Sequence, residues 1–297
     1  MKKKTYIIAE IGINHNGDMD IVRKLIDVAA VAGCDSVKFQ KRNPDVCVPE
    51  HQKSVMRDTP WGRMSYIDYK HKIELTDSNY YDIDVYCNKK GIDWSVSVWD
   101  LDSVNSHVVT RSENTLPYIK IPSALLTDDE LLLASKRKSK ELLNKPKIIL
   151  STGMSTLEEI DHAVNVLETG GETDFSTKEK FKNYALLHSN SAYPAPNEDL
   201  NLNCIKMLQH RYNCEVGYSG HEFGLTTTIA SVAMGATIIE RHITLDRTMW
   251  GTDQMCSVEP QGLFKLVRGI RELEEAMGDG EKRVTEKEKP IRKKLRK

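Results

Sequence analysis

The stretch from residue 6 to residue 40, YIIAEIGINHNGDMDIVRKLIDVAAVAGCDSVKFQ, holds one complete strand–helix–strand unit. Its opening run, YIIAEIG, is rich in β-formers and stops at a glycine. Over 21–32 the apolar residues Ile21, Leu25, Val28, Ala29 and Ala32 share one helical face, and SVKFQ at 36–40 reads as a second strand. Residues 14–18, NHNGD, make a turn in which Asp18 is placed to cap the helix by accepting from the amides that follow. A role for this turn at a functional mouth is the other reading. The pattern then repeats. Short apolar runs at 93–98, 118–121, 147–151, 184–189, 215–219 and 236–241 bring the strand candidates to eight, most of them followed by a helical pattern. Strand–helix alternation makes a parallel sheet. Eight repeats in 297 residues predict an α/β fold, a single-domain (β/α)8 TIM barrel. An open doubly wound sheet is the alternative arrangement of the same elements.

The barrel is expected over 1–280, with the last helix at 263–277 ending on Gly278-Asp279-Gly280. Residues 281–297, EKRVTEKEKPIRKKLRK, read as a solvated basic tail. One segment breaks the period. Residues 41–74 carry Pro44, Pro49, Pro60 and Gly62 with weak helical patterning, but Trp61, Tyr66 and Tyr69 favour an ordered lid over a linker.

Composition narrows the function classes. The chain has 42 Lys and Arg against 43 Asp and Glu, a formal charge of −1, which argues against a dedicated nucleic-acid binder. No apolar run approaches the ~20 residues of a membrane span. The opening MKKKTYIIAEIG is interrupted by Glu10 and makes a poor signal peptide. Six scattered cysteines without a C-x-x-C pair suit free thiols in a reducing cytoplasm. A cytoplasmic protein with neither nucleic acid nor membrane as partner is the expectation.

Catalytic groups of a parallel barrel sit at the C-terminal ends of its strands. In order, those ends offer Glu10, Lys38 and Gln40, Ser97, Lys120 and Ser123, Ser151, then His188, Ser191 and Tyr193, Ser219 and His221, and finally Glu240 and His242. Lysines inside apolar runs are costly to bury unpaired. Lys38 and Lys120 therefore point to a bound anion or a Schiff base, unless one of them forms a structural ion pair with Glu10. His221 and His242 should face one mouth from adjacent strands, which allows an open divalent-metal site. Neutral imidazole binds Mn²⁺, Zn²⁺ and Co²⁺ alike, so spacing does not choose the metal. No H-E-x-x-H motif is present. Ser151-Thr152-Gly153 suits a phosphate or a plain βα turn.

These motifs, taken together, resemble the sialic acid (N-acetylneuraminate) synthase family, the phosphoenolpyruvate-dependent synthases of nonulosonates. The resemblance runs through AEIGINHNGD, VKFQ, YIKIPS, ILSTGMST, ALLHSNSAYPAP, VGYSGH, IIERHITLDR and GTDQMCSVEP, in the family's order and over nearly the whole chain. It implies a (β/α)8 barrel transferase of carbohydrate biosynthesis. Such an enzyme condenses phosphoenolpyruvate with an open-chain aldose, N-acetylmannosamine or a related amino sugar. The product is a 3-deoxy-2-keto sugar acid, and phosphate leaves by C–O cleavage. By this resemblance His221 and His242 would hold a divalent metal, Mn²⁺ first, with Mg²⁺ or Co²⁺ as substitutes. Lys38, Ser97, Lys120, Ser123, Ser151, Ser191 and Ser219 would meet phosphoenolpyruvate, and Glu10, Gln40, Tyr193 and Asp253 the sugar. Glu10, Lys38 and Lys120 join the two histidines as catalytic candidates.

The chain departs from the family at three places. Leu125 stands where a carboxylate is usual, Gly220 replaces the aspartate of Y-S-D-H, and an antifreeze-like domain is not expected after the barrel. The pocket's missing cover would then come from 41–74 or from the tail, and self-association, if any, from the barrel. A Schiff-base aldolase acting on a related keto acid and a non-catalytic binding homologue are the competing readings. The aldose itself is not specified by the sequence.

Overall fold

The computed structural model describes residues 4–110, 116–170 and 180–296. Eight parallel strands close on themselves: β1 (Tyr6–Gly12), β2 (Ser36–Lys41), β3 (Asp93–Val98), β4 (Tyr118–Ile121), β5 (Lys147–Ser151), β6 (Tyr184–Ser189), β7 (Glu215–Gly220) and β8 (Ile238–His242). Each pairs with its sequence neighbours, and β1 closes the ring against β8, so the barrel prevails over the open sheet. All eight predicted runs become strands. Only β2, β7 and β8 differ at their ends, β8 by two residues at its start.

Alternation along the strands sorts the side chains into two populations. Inside the barrel, Ile8, Tyr118, Ile149, Ala185, Leu187 and Ile238 form an apolar plug. Outward-facing Ile7, Ala9, Val37, Phe39, Ile148 and Leu150 join the surrounding helices in the main core. The helix Met19–Ala32 shows how one repeat is built. Asp18 accepts from the Asp20 amide at 2.7 Å, as its N-cap role requires. Val22, Leu25, Ile26 and Ala29 are buried, and Gly33 ends the helix at φ 85°. Burying each large aliphatic side chain contributes about 1.5–3 kcal/mol.

The 41–74 segment is more structured than its sequence pattern suggests. It holds two four-residue helical turns, an antiparallel hairpin (Met56–Thr59 with Gly62–Ser65) and the helix Tyr66–Ile73. The hairpin strands are mostly exposed and lack the in–out alternation by which strands are recognised. Tyr69 and Ile73 instead anchor the segment against Ile13. The last barrel helix spans Pro260–Ala276. The basic tail contains a further helix, Glu288–Leu295, with no buried residue. Residues 1–3 and 297, which belong to the predicted barrel and tail, lie outside the described residues.

Candidate active site

A polar layer sits above the apolar plug, at the C-terminal ends of the strands. Strand register assembles it: Glu10 is level with both His242 and Lys38, Gln40 with Ser97, and Ser97 with Lys120. A cavity of about 210 Å³ opens there. Twelve of the thirteen predicted site residues line it: Glu10, Lys38, Gln40, Ser97, Lys120, Ser123, Ser151, Ser191, Tyr193, Ser219, His221 and His242. Asp253 lies just behind the wall, 3.8 Å from His242 Nδ1.

Four buried charges form its floor. Lys38 Nζ stands 2.8 Å from Glu10 Oε2 and donates to Ser97 Oγ at 2.7 Å. Glu240 Oε1 lies 3.7 Å from Lys38 and 3.8 Å from Lys120, and accepts from Ser219 Oγ at 3.2 Å. The structural ion pair with Glu10 is thus real for Lys38, while Lys120 is paired with Glu240. Burial pushes the Glu10 carboxyl up to about 7, against the pull of Lys38. Burial also opposes ionisation of Glu240, but Lys120 and Lys38 hold it at about 2. Lys120 is lowered by burial to about 8 despite Glu240. For Lys38, burial is outweighed by Glu10 and Glu240, which keep it charged. Near neutral pH the floor therefore carries two ammonium groups, one firm carboxylate and a half-protonated one. It favours an incoming anion.

A hydroxyl cradle adjoins the floor. The Gly153 amide donates to Ser123 Oγ at 3.1 Å, and Ser123 Oγ is 3.5 Å from Ser189 Oγ. A Cβ on residue 153 would stand 2.8 Å from both of those oxygens and closer still to Ser191 Oγ, so only glycine fits. The backbone and the serines together offer donors to an anion, which favours the phosphate reading of 151–153 over a plain turn.

The two histidines face each other with ring centroids 5.5 Å apart. His221 Nδ1 is 2.6 Å from the Asn190 carbonyl, which can only accept. Nδ1 therefore carries the proton, and Nε2 presents its lone pair, here taking the Tyr193 hydroxyl at 2.9 Å. His242 Nδ1 is buried without a hydrogen-bond partner. Burial, then the neighbouring His242, lowers His221 to about 4, and burial lowers His242. Two neutral imidazoles with an available lone pair suit a divalent cation. Among the described residues no cluster of three or more His, Cys, Asp or Glu forms a metal cage. Any shell would need solvent or substrate oxygens to be complete.

Two of the departures acquire a physical setting. Leu125 turns away from the cavity and packs on the core, leaving Pro122, Ser123 and Ala124 to line that wall. Gly220 abuts a buried Glu222. His188, at a strand end like the others, binds the Leu200 carbonyl at 2.7 Å and has a structural role. Asn14 likewise serves the fold, tying its turn to Ile243 and Ser257. Sequence reading singled out Gly153 within the 151–153 turn and named Glu240 only as a strand-end residue, and it assigned no role to Ser189, Trp99 or Met154. A role for Glu240 was within reach, since it sits two residues before His242 on the same inward face.

Residues 25–282 match the model of the NeuB family. An N,N'-diacetyllegionaminic acid synthase of Campylobacter jejuni is 39% identical over 96% of this chain and 81% of its own length. An N-acetylneuraminate-9-phosphate synthase of Drosophila melanogaster is 35% identical over 89% of this chain and 67% of its own. Among solved structures, the N-acetylneuraminic acid (sialic acid) synthetase of Leptospira borgpetersenii serovar Hardjo-bovis, in complex with citrate, superposes with a TM-score of 0.80. It is 28% identical and covers 99% of this chain and 93% of its own.

Proposed function

Since the chain belongs to the NeuB family and is a phosphoenolpyruvate-dependent sugar acid synthase, we propose that it joins phosphoenolpyruvate to an open-chain acylamido aldose. N-acetylmannosamine or a close relative is the acceptor, and a nonulosonate-type 3-deoxy-2-keto sugar acid and inorganic phosphate are the products. One observation carries this reading: two buried ammonium groups, a serine cradle and two neutral imidazoles share one cavity at the strand ends.

Lys38 and Lys120 hold the anionic oxygens of phosphoenolpyruvate without forming a covalent bond. Ser97, Ser123, Ser151, Ser191, Ser219 and the Gly153 amide orient its phosphate and carboxylate. Gln40, Tyr193 and Asp253 meet the sugar. His221 and His242 would hold a divalent metal, Mn²⁺ or in its place Mg²⁺ or Co²⁺, which supplies Lewis-acid polarisation of the aldehyde. With the reactants aligned, the enol carbon C3 attacks the aldehyde carbon and positive charge develops at C2. Water adds at C2, and the tetrahedral species expels phosphate as the C–O bond breaks. Glu10, poised at about 7, takes the proton of the adding water and passes it to the alkoxide formed from the aldehyde oxygen, and the C2 hydroxyl proton departs with phosphate as the ketone forms.

No helix among the described residues is long and apolar enough to cross a membrane. Six free thiols fit the cytoplasm as the place of reaction. The test is phosphate release from phosphoenolpyruvate with Mn²⁺ across a panel of aldoses. Aldose-dependent, chelator-sensitive release is expected, and release indifferent to every aldose would contradict it. One feature favours a Schiff-base reading: Lys120 sits at about 8, where an amine becomes nucleophilic. Borohydride reduction in the presence of pyruvate separates the two, because only an imine would leave a lysine adduct.

A further inference from the structure

Position 220 is glycine because the space beside it is already taken. A Cβ built there would meet Glu222 Oε2 at 2.6 Å, the Tyr218 ring at 2.9 Å and the Arg241 side chain at 3.0 Å. Glu222 is wholly buried and densely bonded. Tyr218 OH donates to it at 2.9 Å, Thr227 and Thr228 at 2.7 and 2.8 Å, and Arg241 Nη1 at 3.2 Å. Arg241, 2% exposed, reaches further: Nη1 donates to Thr228 Oγ1 at 2.7 Å and Nη2 to the Glu222 carbonyl at 2.7 Å. Neither charge would be tolerable without the other at this depth.

The location gives the pair its meaning. Glu222 directly follows His221 beyond β7, and Arg241 directly precedes His242 on β8. Glu240 and His242 face the cavity, whereas Arg241 between them points to the other side of the sheet. The ion pair is therefore a bolt across the two strands, one residue from each imidazole and outside the cavity.

We propose that Glu222 and Arg241 are positioning residues that set the separation and tilt of His221 and His242, and that Glu222 supplies from position 222 the carboxylate that Gly220 lacks. The inference rests on the reading of the two histidines as a metal pair. Outer partners of metal ligands typically change affinity by about 10–100-fold when removed.

The test measures Mn²⁺ binding to the full chain by electron paramagnetic resonance of the free ion, without substrates, alongside circular dichroism. Glu222→Ala loses stability because Arg241 is left without its partner, and where circular dichroism shows it folded it should bind Mn²⁺ about tenfold or more weakly. The double variant Gly220→Asp/Glu222→Ala returns a carboxylate to Arg241, and its affinity should recover to within about threefold of native. A folded Glu222→Ala with native affinity would overturn the positioning role. A double variant that circular dichroism shows folded, with the Tyr218 ring and Arg241 having made room for the new side chain, yet as weak as the single one would overturn the relocation of the carboxylate. If Glu222→Ala fails to fold, Glu222→Gln, which keeps the shape without the charge, decides: weaker binding upholds the bolt and unchanged binding overturns it. Failure of the native protein to bind Mn²⁺, or binding indifferent to His242→Ala, would instead strike the metal reading itself.

Discussion

Lys38 Nζ lies 2.8 Å from Glu10 Oε2, both side chains 2% exposed, and the same ammonium is 3.7 Å from Glu240. One cation thus serves two buried carboxylates while staying within reach of the cavity. Removing it strands Glu10 and leaves Glu240 to Lys120 alone. Lys38→Met should lose about 3–5 kcal/mol of stability, the usual consequence of breaking a buried pair from one side. Adding Glu10→Gln should restore part of that loss while activity stays absent. Urea denaturation of both variants checks this, and strictly additive losses would contradict the pairing.

Gly153 makes a second point of leverage. Gly153→Ala forces a methyl group into the cradle of Ser123, Ser189 and Ser191. Overpacking of this kind costs about 1–3 kcal/mol. Phosphoenolpyruvate affinity should fall by about tenfold or more, since each hydrogen bond to a charged group is worth about 1.5–3 kcal/mol. Mn²⁺ affinity should be unchanged, because the histidines lie on other strands. Calorimetric titration with each ligand separates the two effects, and equal losses would place the damage in the fold.

Lys120 predicts a pH dependence of binding. Burial lowers its ammonium to about 8, so the free enzyme carries that charge below pH 8 and loses it above. Phosphoenolpyruvate affinity should ease down through neutrality as Glu10 ionises and fall most steeply, up to about tenfold per pH unit, above about 8 as Lys120 loses its charge. Lys120→Arg, charged throughout, should flatten the curve even if it binds less well. A native profile without an inflection near 8 would remove Lys120 from anion binding.

Besides Ile13, a tryptophan helps to hold the 41–74 segment in place. Trp250 meets Tyr69 edge-on with centroids 5.0 Å apart and Trp61 at 6.0 Å, and its carbonyl accepts from Asn16 Nδ2 at 2.8 Å. Each aromatic contact is worth about 0.5–1.5 kcal/mol. Trp250→Ala should speed proteolysis within 41–74 and raise the aldose KM, leaving phosphoenolpyruvate binding intact. Unaltered cleavage kinetics would show that the segment is held elsewhere.

Much of this was legible in the sequence because barrel strands announce themselves as short apolar runs, and their C-terminal ends locate a site. Polar residues interrupting such runs, Lys38 in SVKFQ and Lys120 in YIKIPS, marked the floor directly. The hairpin at 56–65 was opaque, since its exposed strands carry no alternating pattern. Glu222 and Arg241 were equally hidden. They are neighbours only through the pairing of β7 with β8, and no local spacing signals a partner nineteen residues away. The tail helix escaped for a related reason, because a charged stretch that buries nothing looks the same coiled or helical.

The reaction itself is tested most directly by the fate of the bridging oxygen. Phosphoenolpyruvate carrying heavy oxygen in its C–O–P bridge would be turned over with Mn²⁺ and an accepted aldose, and the products weighed by mass spectrometry. Condensation followed by C–O cleavage sends the label out with inorganic phosphate. Label kept in the sugar acid, with unlabelled phosphate, would mean that the P–O bond breaks and that the floor of Lys38, Lys120 and Glu240 does different work.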